Sequence, residues 1–209
     1  MPRPARVSPD RILAAAAQEF SARGYAGARV DRIARRARVN KAMLYYHFGS
    51  KQALYRSLLR QSFGAIAAEL ATIAASGLPH ERRLDAAIDA VAAHIEAHAY
   101  FPSIMLREMA EGGAHLDAET LRFLASVPRA FATILRPGVE HGAFRDMHPI
   151  AAYFTTIAPI VMFVASTPVR RQLASRGVAP AAWTTLDTDA FLSDLRLSLQ
   201  RAFAARANS

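Results

Sequence analysis

VDRIARRARVNKAMLYYHFGSK, residues 30–51, reads as two short helices joined by a tight turn. Ile33, Ala34 and Ala37 form an apolar stripe on the first helix, Val39 plugs the turn, and Leu44 and Phe48 recur at i, i+4 on the second. The opposite face of the second helix carries Lys41, Ala42, Met43, Tyr45, Tyr46 and His47, side chains suited to base edges and phosphates. One face packs and the other reads, as in a helix-turn-helix. Asn40 stands where the second helix needs an N-cap.

Charge is distributed to match. Residues 1–60 hold 13 of the 26 Lys and Arg but only Asp10, Glu19 and Asp31 among the 17 acids, so this segment carries +10 and the remainder −1. A basic patch confined to one compact segment is the electrostatic footprint of phosphate binding. The first ten residues have no apolar run and so do not read as a signal peptide. They are expected to form a basic arm, with Arg3 and Arg6 placed to enter a minor groove.

At 209 residues the chain is long enough for a substantial core. It has no cysteine, which removes disulfides, thiolate ligands and thiol redox chemistry and agrees with a cytoplasmic location. There is no Gly-rich phosphate loop, no HExxH and no GxSxG, so neither catalytic residues nor a cofactor is expected.

Beyond the motif the pattern is helical almost throughout. A long helix is predicted from Lys51 to about Ala75, stopped by Gly77 and Pro79. Further helices are predicted over about 81–100, after Ser103 to Gly112, from Asp117 to about Arg136 with an end at Pro137-Gly138, from Pro149, from Thr167 to near Gly177, and from a Thr188 cap to about Arg206. Pro128 is expected to bend or divide the fourth of these. No segment alternates as a strand does, so the fold class is all-α. Residues 149–169 carry no charge and approach a membrane span in length, but Thr155, Thr156, Pro159, Ser166, Thr167 and Pro168 interrupt them. A helix buried against the core and a partner subunit is the preferred reading. A membrane-associated helical protein, or an enzyme of unrecognised type with a basic surface, stands as the alternative.

From about Arg11 to Leu59 the chain resembles the DNA-binding domain of the TetR/AcrR family of bacterial transcriptional regulators. The residues that carry the likeness are Ile12, Ala16, Phe20, Gly24, Tyr25, Ile33, Ala34, Ala37, Val39, the run from Leu44 to Phe48, and Lys51. Two positions depart from the family pattern: Arg29 stands where a Thr usually caps the second helix, and Arg38 where a Gly usually opens the turn. The resemblance implies a DNA-binding set of Arg29, Arg38, Asn40, Lys41, Ala42, Met43, Tyr45, Tyr46, His47 and Lys51. Tyr46 and Lys51 would touch phosphates, with Lys41, Ala42 and Met43 nearest base edges. It also implies two domains, 1–55 for DNA and 56–209 for effector binding and dimerisation, in a ligand-responsive repressor that binds a near-palindromic operator as a homodimer.

For the dimer interface the apolar stripes offer Phe154, Ile157, Val161 and Val164 on one helix and Phe191, Leu192, Leu195, Leu199 and Phe203 on the last, enough for a four-helix bundle across a two-fold axis. For an effector pocket, Phe101, Met105, Met109, Phe123, Phe131, Met162 and Phe163 are candidate apolar lining, with His94, His98 and Arg107 as polar anchors. That composition favours an apolar or aromatic effector. His94 and His98 have a spacing able to hold a metal, and Glu108, Glu111 and His115 follow along the chain, but no metal site is expected because no third ligand has a known position.

Overall fold

The structure, a computed structural model, describes residues 8–180 and 182–205. Among them run α1 (Pro9–Gly27), α2 (Val30–Ala37), α3 (Lys41–Phe48), α4 (Lys51–Ala74), α5 (His80–Ala97), α6 (Phe101–Ala110), α7 (Ala118–Glu140), α8 (Pro149–Ala165), α9 (Thr167–Ser175), α10 (Ala182–Thr185) and α11 (Thr188–Phe203). No strand occurs among the described residues, where Phe144 and Ala204 make an isolated bridge. The all-α expectation holds. The arm expected at Arg3 and Arg6 lies outside the described residues.

The chain divides into two compact units, one of residues 8–63 with Ser103–Leu124 and the other of Gly64–Pro102 with 125–205. In the first, Ser8 caps α1 by accepting the Asp10 N–H at 3.2 Å, and Pro9 opens the helix with a preset φ. Ile12, Ala16 and Phe20 of α1, Ile33 of α2, Leu44 of α3 and Leu54 of α4 are its buried apolar centre. Each such aliphatic or aromatic side chain contributes about 1.5–3 kcal/mol on burial. The corner between α6 and α7 belongs to the same unit. Arg60 on α4 grips Asp117 at 2.7 Å and Thr120 at 2.9 Å, and Arg56 donates to the His115 carbonyl at 2.8 Å.

In the second unit Leu84 and Ile88 of α5, Phe131 and Ile134 of α7, Ile160 of α8 and Phe203 of α11 are buried. Here α7 departs from expectation. It passes Pro128 undivided and runs through Pro137 to Glu140, because the stop signal is Gly142. Gly142 takes φ 73°, and the Ala143 N–H closes on the Gly138 carbonyl at 2.8 Å, a Schellman ending. Gly138 has a packing role instead: a Cβ there would lie 2.4 Å from the Phe144 ring. The last helix is capped by Asp187, whose carboxylate accepts the Ala190 N–H at 2.8 Å, and not by Thr188. It ends at Phe203, whose carbonyl takes the Arg145 N–H at 2.9 Å. The short α10 has no counterpart in the sequence reading.

Among the described residues no single helix is long and apolar enough to cross a membrane. α8 and α9 meet that test only as a pair, bent by 45°.

Candidate nucleic-acid interface

The reading face is built on two short helices, α2 and α3, and each begins or ends by a device visible in its hydrogen bonds. α2 lacks a side-chain cap, since Arg29 makes none. Its start is held from outside: the Glu19 carboxylate, buried in α1, accepts the Arg29 N–H at 3.2 Å and the Arg32 Nε–H at 2.6 Å. Burial alone would raise the Glu19 carboxyl, but these two hydrogen bonds, with the charges of Arg32 and Arg23, together hold it below its ordinary value. α2 ends on Arg38, which takes the left-handed conformation at φ 54°, ψ 46°. The Val39 N–H then reaches the Ala34 carbonyl at 2.9 Å, and Arg11 donates to the Ala37 carbonyl at 3.0 Å. A side chain with a Cβ pays roughly 1–2 kcal/mol for that backbone region.

α3 starts at Asn40, whose side chain accepts the Met43 N–H at 2.7 Å, satisfying one of the orphan donors of the first turn. Leu44 is fully buried and anchors the helix. Lys41, Ala42, Tyr45 and Tyr46 are exposed, Tyr46 most of all at 82%. Met43 and His47 are half-buried, and the His47 Nε2 is enclosed without a hydrogen-bond partner among the described residues.

The two lysines are differently occupied. Lys41 forms an ion pair with Asp31 at the start of α2. Lys51, at the start of α4, lies 3.4 Å from the Ala26 carbonyl and 4.6 Å from the Tyr25 ring centre, and burial lowers its pKa. Lys51 therefore ties the end of α1 to the start of α4. Arg29, Arg35, Arg36 and Arg38 are exposed around this face, with Arg36 donating to Gln18. A helix with aromatic and basic side chains outward, its apolar side locked by Leu44 and a basic rim around it, has the geometry needed to enter a major groove.

Comparison with known proteins agrees with that geometry. Residues 12–58 match the family described as bacterial regulatory proteins, tetR family. The chain is 34% identical over 139 residues to the HTH-type transcriptional repressor SCO4008 of Streptomyces coelicolor, an alignment spanning 66% of this chain and 68% of that one. The chain belongs to the TetR family. It is also 29% identical over 196 residues to the HTH-type transcriptional repressor NicS of Pseudomonas putida, covering 90% of this chain and 92% of that one. In fold it is similar to the TetR family transcriptional regulator PfmR of Thermus thermophilus, with a TM-score of 0.67 at 20% identity over 97% of this chain and 98% of that one. As a TetR-family chain, it is a DNA-binding transcriptional regulator, and its relatives are regulators, not enzymes.

Within this TetR-family chain the residues expected to line an effector pocket are distributed over both compact units. Met105, Arg107, Met109 and Phe123 lie in the first unit and the other six in the second. Met109 and Phe123 are exposed, as is Met162 at 53%, and Phe131 is fully buried in packed core against Tyr153. His94 and His98 stack at 4.4 Å, and the His98 Nδ1–H donates to the His94 carbonyl at 2.9 Å. Burial first, and the His98 charge second, push His94 down to about 4. Met105 and Phe101 are buried. Phe163 stacks on Phe191 at 4.1 Å and carries the Arg170 guanidinium at 4.0 Å, one wall of a groove shared with Thr167, Arg171 and Leu186.

The expected interface residues differ in exposure within the chain. Ile157, Leu192, Leu199 and Phe203 are covered by the chain's own core, so a stripe read from periodicity was partly the stripe that closes the subunit. Val161, Val164, Phe191 and Leu195 are half-buried, and Phe154 is exposed at 52%. Ile150, not singled out from the sequence, and Met162, expected in the pocket, are exposed on the same side of α8 as Phe154. Sequence reasoning also missed Glu19, whose one signal was an acid within a basic segment.

Proposed function

We propose that this TetR-family regulator is a ligand-responsive repressor that binds a near-palindromic operator as a homodimer in the cytoplasm. The outward face of α3, with Tyr46 almost wholly in solvent beside Lys41, Ala42 and Tyr45, is the observation that carries the reading. In this reading the DNA-binding set is Arg29, Arg38, Asn40, Lys41, Ala42, Met43, Tyr45, Tyr46, His47 and Lys51, with Asn40 acting through its cap and Lys51 close to a phosphate. Residues up to about 55 bind DNA, and the remainder binds effector and partner.

The homodimer reading draws on α8. Ile150, Phe154 and Met162 are exposed on one uncharged side of that helix, interleaved with Ala151, Ala158 and Val161. A second copy packed there would bury apolar surface that water otherwise covers. Two copies related by a two-fold axis present their α3 helices to successive major grooves about 34 Å apart. The effector is apolar or aromatic, in keeping with the Phe and Met content of residues 101–163. An effector lowers operator affinity only by its differential affinity for the two states of the regulator, about 1–3 kcal/mol of coupling.

Fluorescence anisotropy with a labelled duplex from the DNA adjoining its gene, titrated against an unrelated duplex at the same salt, tests the reading. Affinity at least a thousandfold higher, about 4 kcal/mol, is expected for the operator. Equal affinity for both duplexes overturns it.

A further inference from the structure

The corner between α6 and α7 folds two carboxylates and an imidazole onto one point. The α6 helix carries Glu108 near its end, Glu111 follows one turn later, and the chain turns back through Gly112 and Gly113 to bring His115 beside both. The His115 Nδ1 lies 3.0 Å from Glu108 Oε2 and 3.3 Å from Glu111 Oε2, and the three ligand atoms all lie within 4.8 Å of one another. Ligand atoms bound to a tetrahedral ion at 2.0–2.1 Å stand about 3.3 Å apart. The Nδ1 to Glu111 separation already equals a coordination edge, and the Nδ1 to Glu108 separation, a hydrogen bond at 3.0 Å without the ion, need open only by about 0.3 Å.

The surroundings orient these groups as outer-shell partners orient metal ligands. Glu108 is 1% exposed, and its Oε2 accepts the Tyr55 hydroxyl at 2.8 Å while its Oε1 accepts the His115 N–H at 2.9 Å. The His115 ring is pressed against Tyr25 with ring centres 3.9 Å apart. Glu111 is exposed, which leaves an entry path and room for a solvent ligand.

We infer that Glu108, Glu111 and His115 form a binding site for one divalent transition ion per chain, of the class of Zn²⁺, with water as the fourth ligand. The mixed oxygen and nitrogen donors suit Zn²⁺ over Ca²⁺, which prefers six or more oxygens. His115 binds through Nδ1, the ring nitrogen that faces both carboxylates. The site does not depend on the operator or effector reading, and its test does not use DNA.

Equilibrium dialysis of the tag-free, metal-stripped full chain against Zn²⁺ alone, with Co²⁺ as a spectroscopic probe, decides the matter. One ion per chain is expected, with a tetrahedral Co²⁺ absorption band. Glu111→Gln and His115→Ala, checked by circular dichroism for folding, should each weaken binding at least tenfold. Tyr55→Phe should weaken it up to about tenfold by freeing the Glu108 carboxylate. Glu108→Gln fills a buried position and is not needed for the decision. The double variant His94→Ala/His98→Ala should bind as the parent does. Absence of binding, binding unchanged in Glu111→Gln and His115→Ala, or binding lost in the His94/His98 variant overturns the assignment.

Discussion

The Glu19 carboxylate holds the Arg32 guanidinium at 2.6 Å from inside α1, and the same oxygen takes the Arg29 N–H at the start of α2. A helix start without its hydroxyl cap is thus fastened by a buried acid from a neighbouring helix. Glu19→Gln should cost about 2 kcal/mol, the worth of hydrogen bonds to a charged group. The folded pKa of Glu19 is depressed, so its contribution is complete above the ordinary carboxylate value of 4.5 and is lost as pH falls through the lower folded value. Urea denaturation of parent and variant between neutral and acid pH checks this: the difference in midpoint should shrink on acidification. A constant difference would show that Glu19 acts by shape alone.

Arg38 occupies a left-handed turn at φ 54°. Arg38→Gly should relieve strain and stabilise the chain by about 1 kcal/mol, less the extra backbone entropy that glycine brings to the unfolded state. Loss of a guanidinium near the duplex should at the same time weaken binding to all sequences and reduce the salt slope. Thermal melting and salt-dependent anisotropy should therefore move in opposite directions.

Lys41 is paired with Asp31, which offsets its charge before DNA arrives. Asp31→Asn should strengthen DNA binding about threefold at low salt, a surface ion pair being worth about 0.2–1 kcal/mol. The gain should fade as salt rises. Lys51→Ala should lower the salt slope by about 1. An unchanged slope would assign Lys51 to its contacts with Tyr25 and Ala26 only.

Phe154 and Leu199 separate dimer from fold. Phe154 is exposed and Leu199 is 2% exposed. Phe154→Glu should give a folded monomer, seen by light scattering with an unchanged circular dichroism spectrum. Leu199→Glu should unfold the chain, since a buried unpaired carboxylate costs several kcal/mol. A dimeric Phe154→Glu variant would move the interface off α8.

The reading head was legible because its signals are local. Asn40, Leu44 and Phe48 mark a cap and an apolar repeat within nine residues, and periodicity finds such patterns. The role of Glu19 was not legible, since its partners Arg29 and Arg32 come from the next helix. Pro137 misled for a related reason: a proline near a helix end removes one hydrogen bond, and Gly142 five residues on supplied the real stop. Leu192, Leu199 and Phe203 show the other limit. An amphipathic stripe says that a helix face is covered but not by which chain. The convergence of Glu108, Glu111 and His115 depended on two glycines at positive φ, which no spacing rule anticipates.

The first compact unit is assembled from two stretches of chain with residues 64–102 between them. On a ribosome the helix-turn-helix therefore emerges well before the piece that carries Glu108, His115 and Asp117. At about 5–20 residues per second, the interval to Leu124 is roughly 3–12 s. Through that interval Tyr55, Arg56 and Arg60 lack the partners they hold in the finished molecule, so the nascent head waits half-walled for its own downstream sequence. Nonsense products ending before Ser103 should accordingly be cleared by proteolysis and should not persist as free DNA-binding fragments.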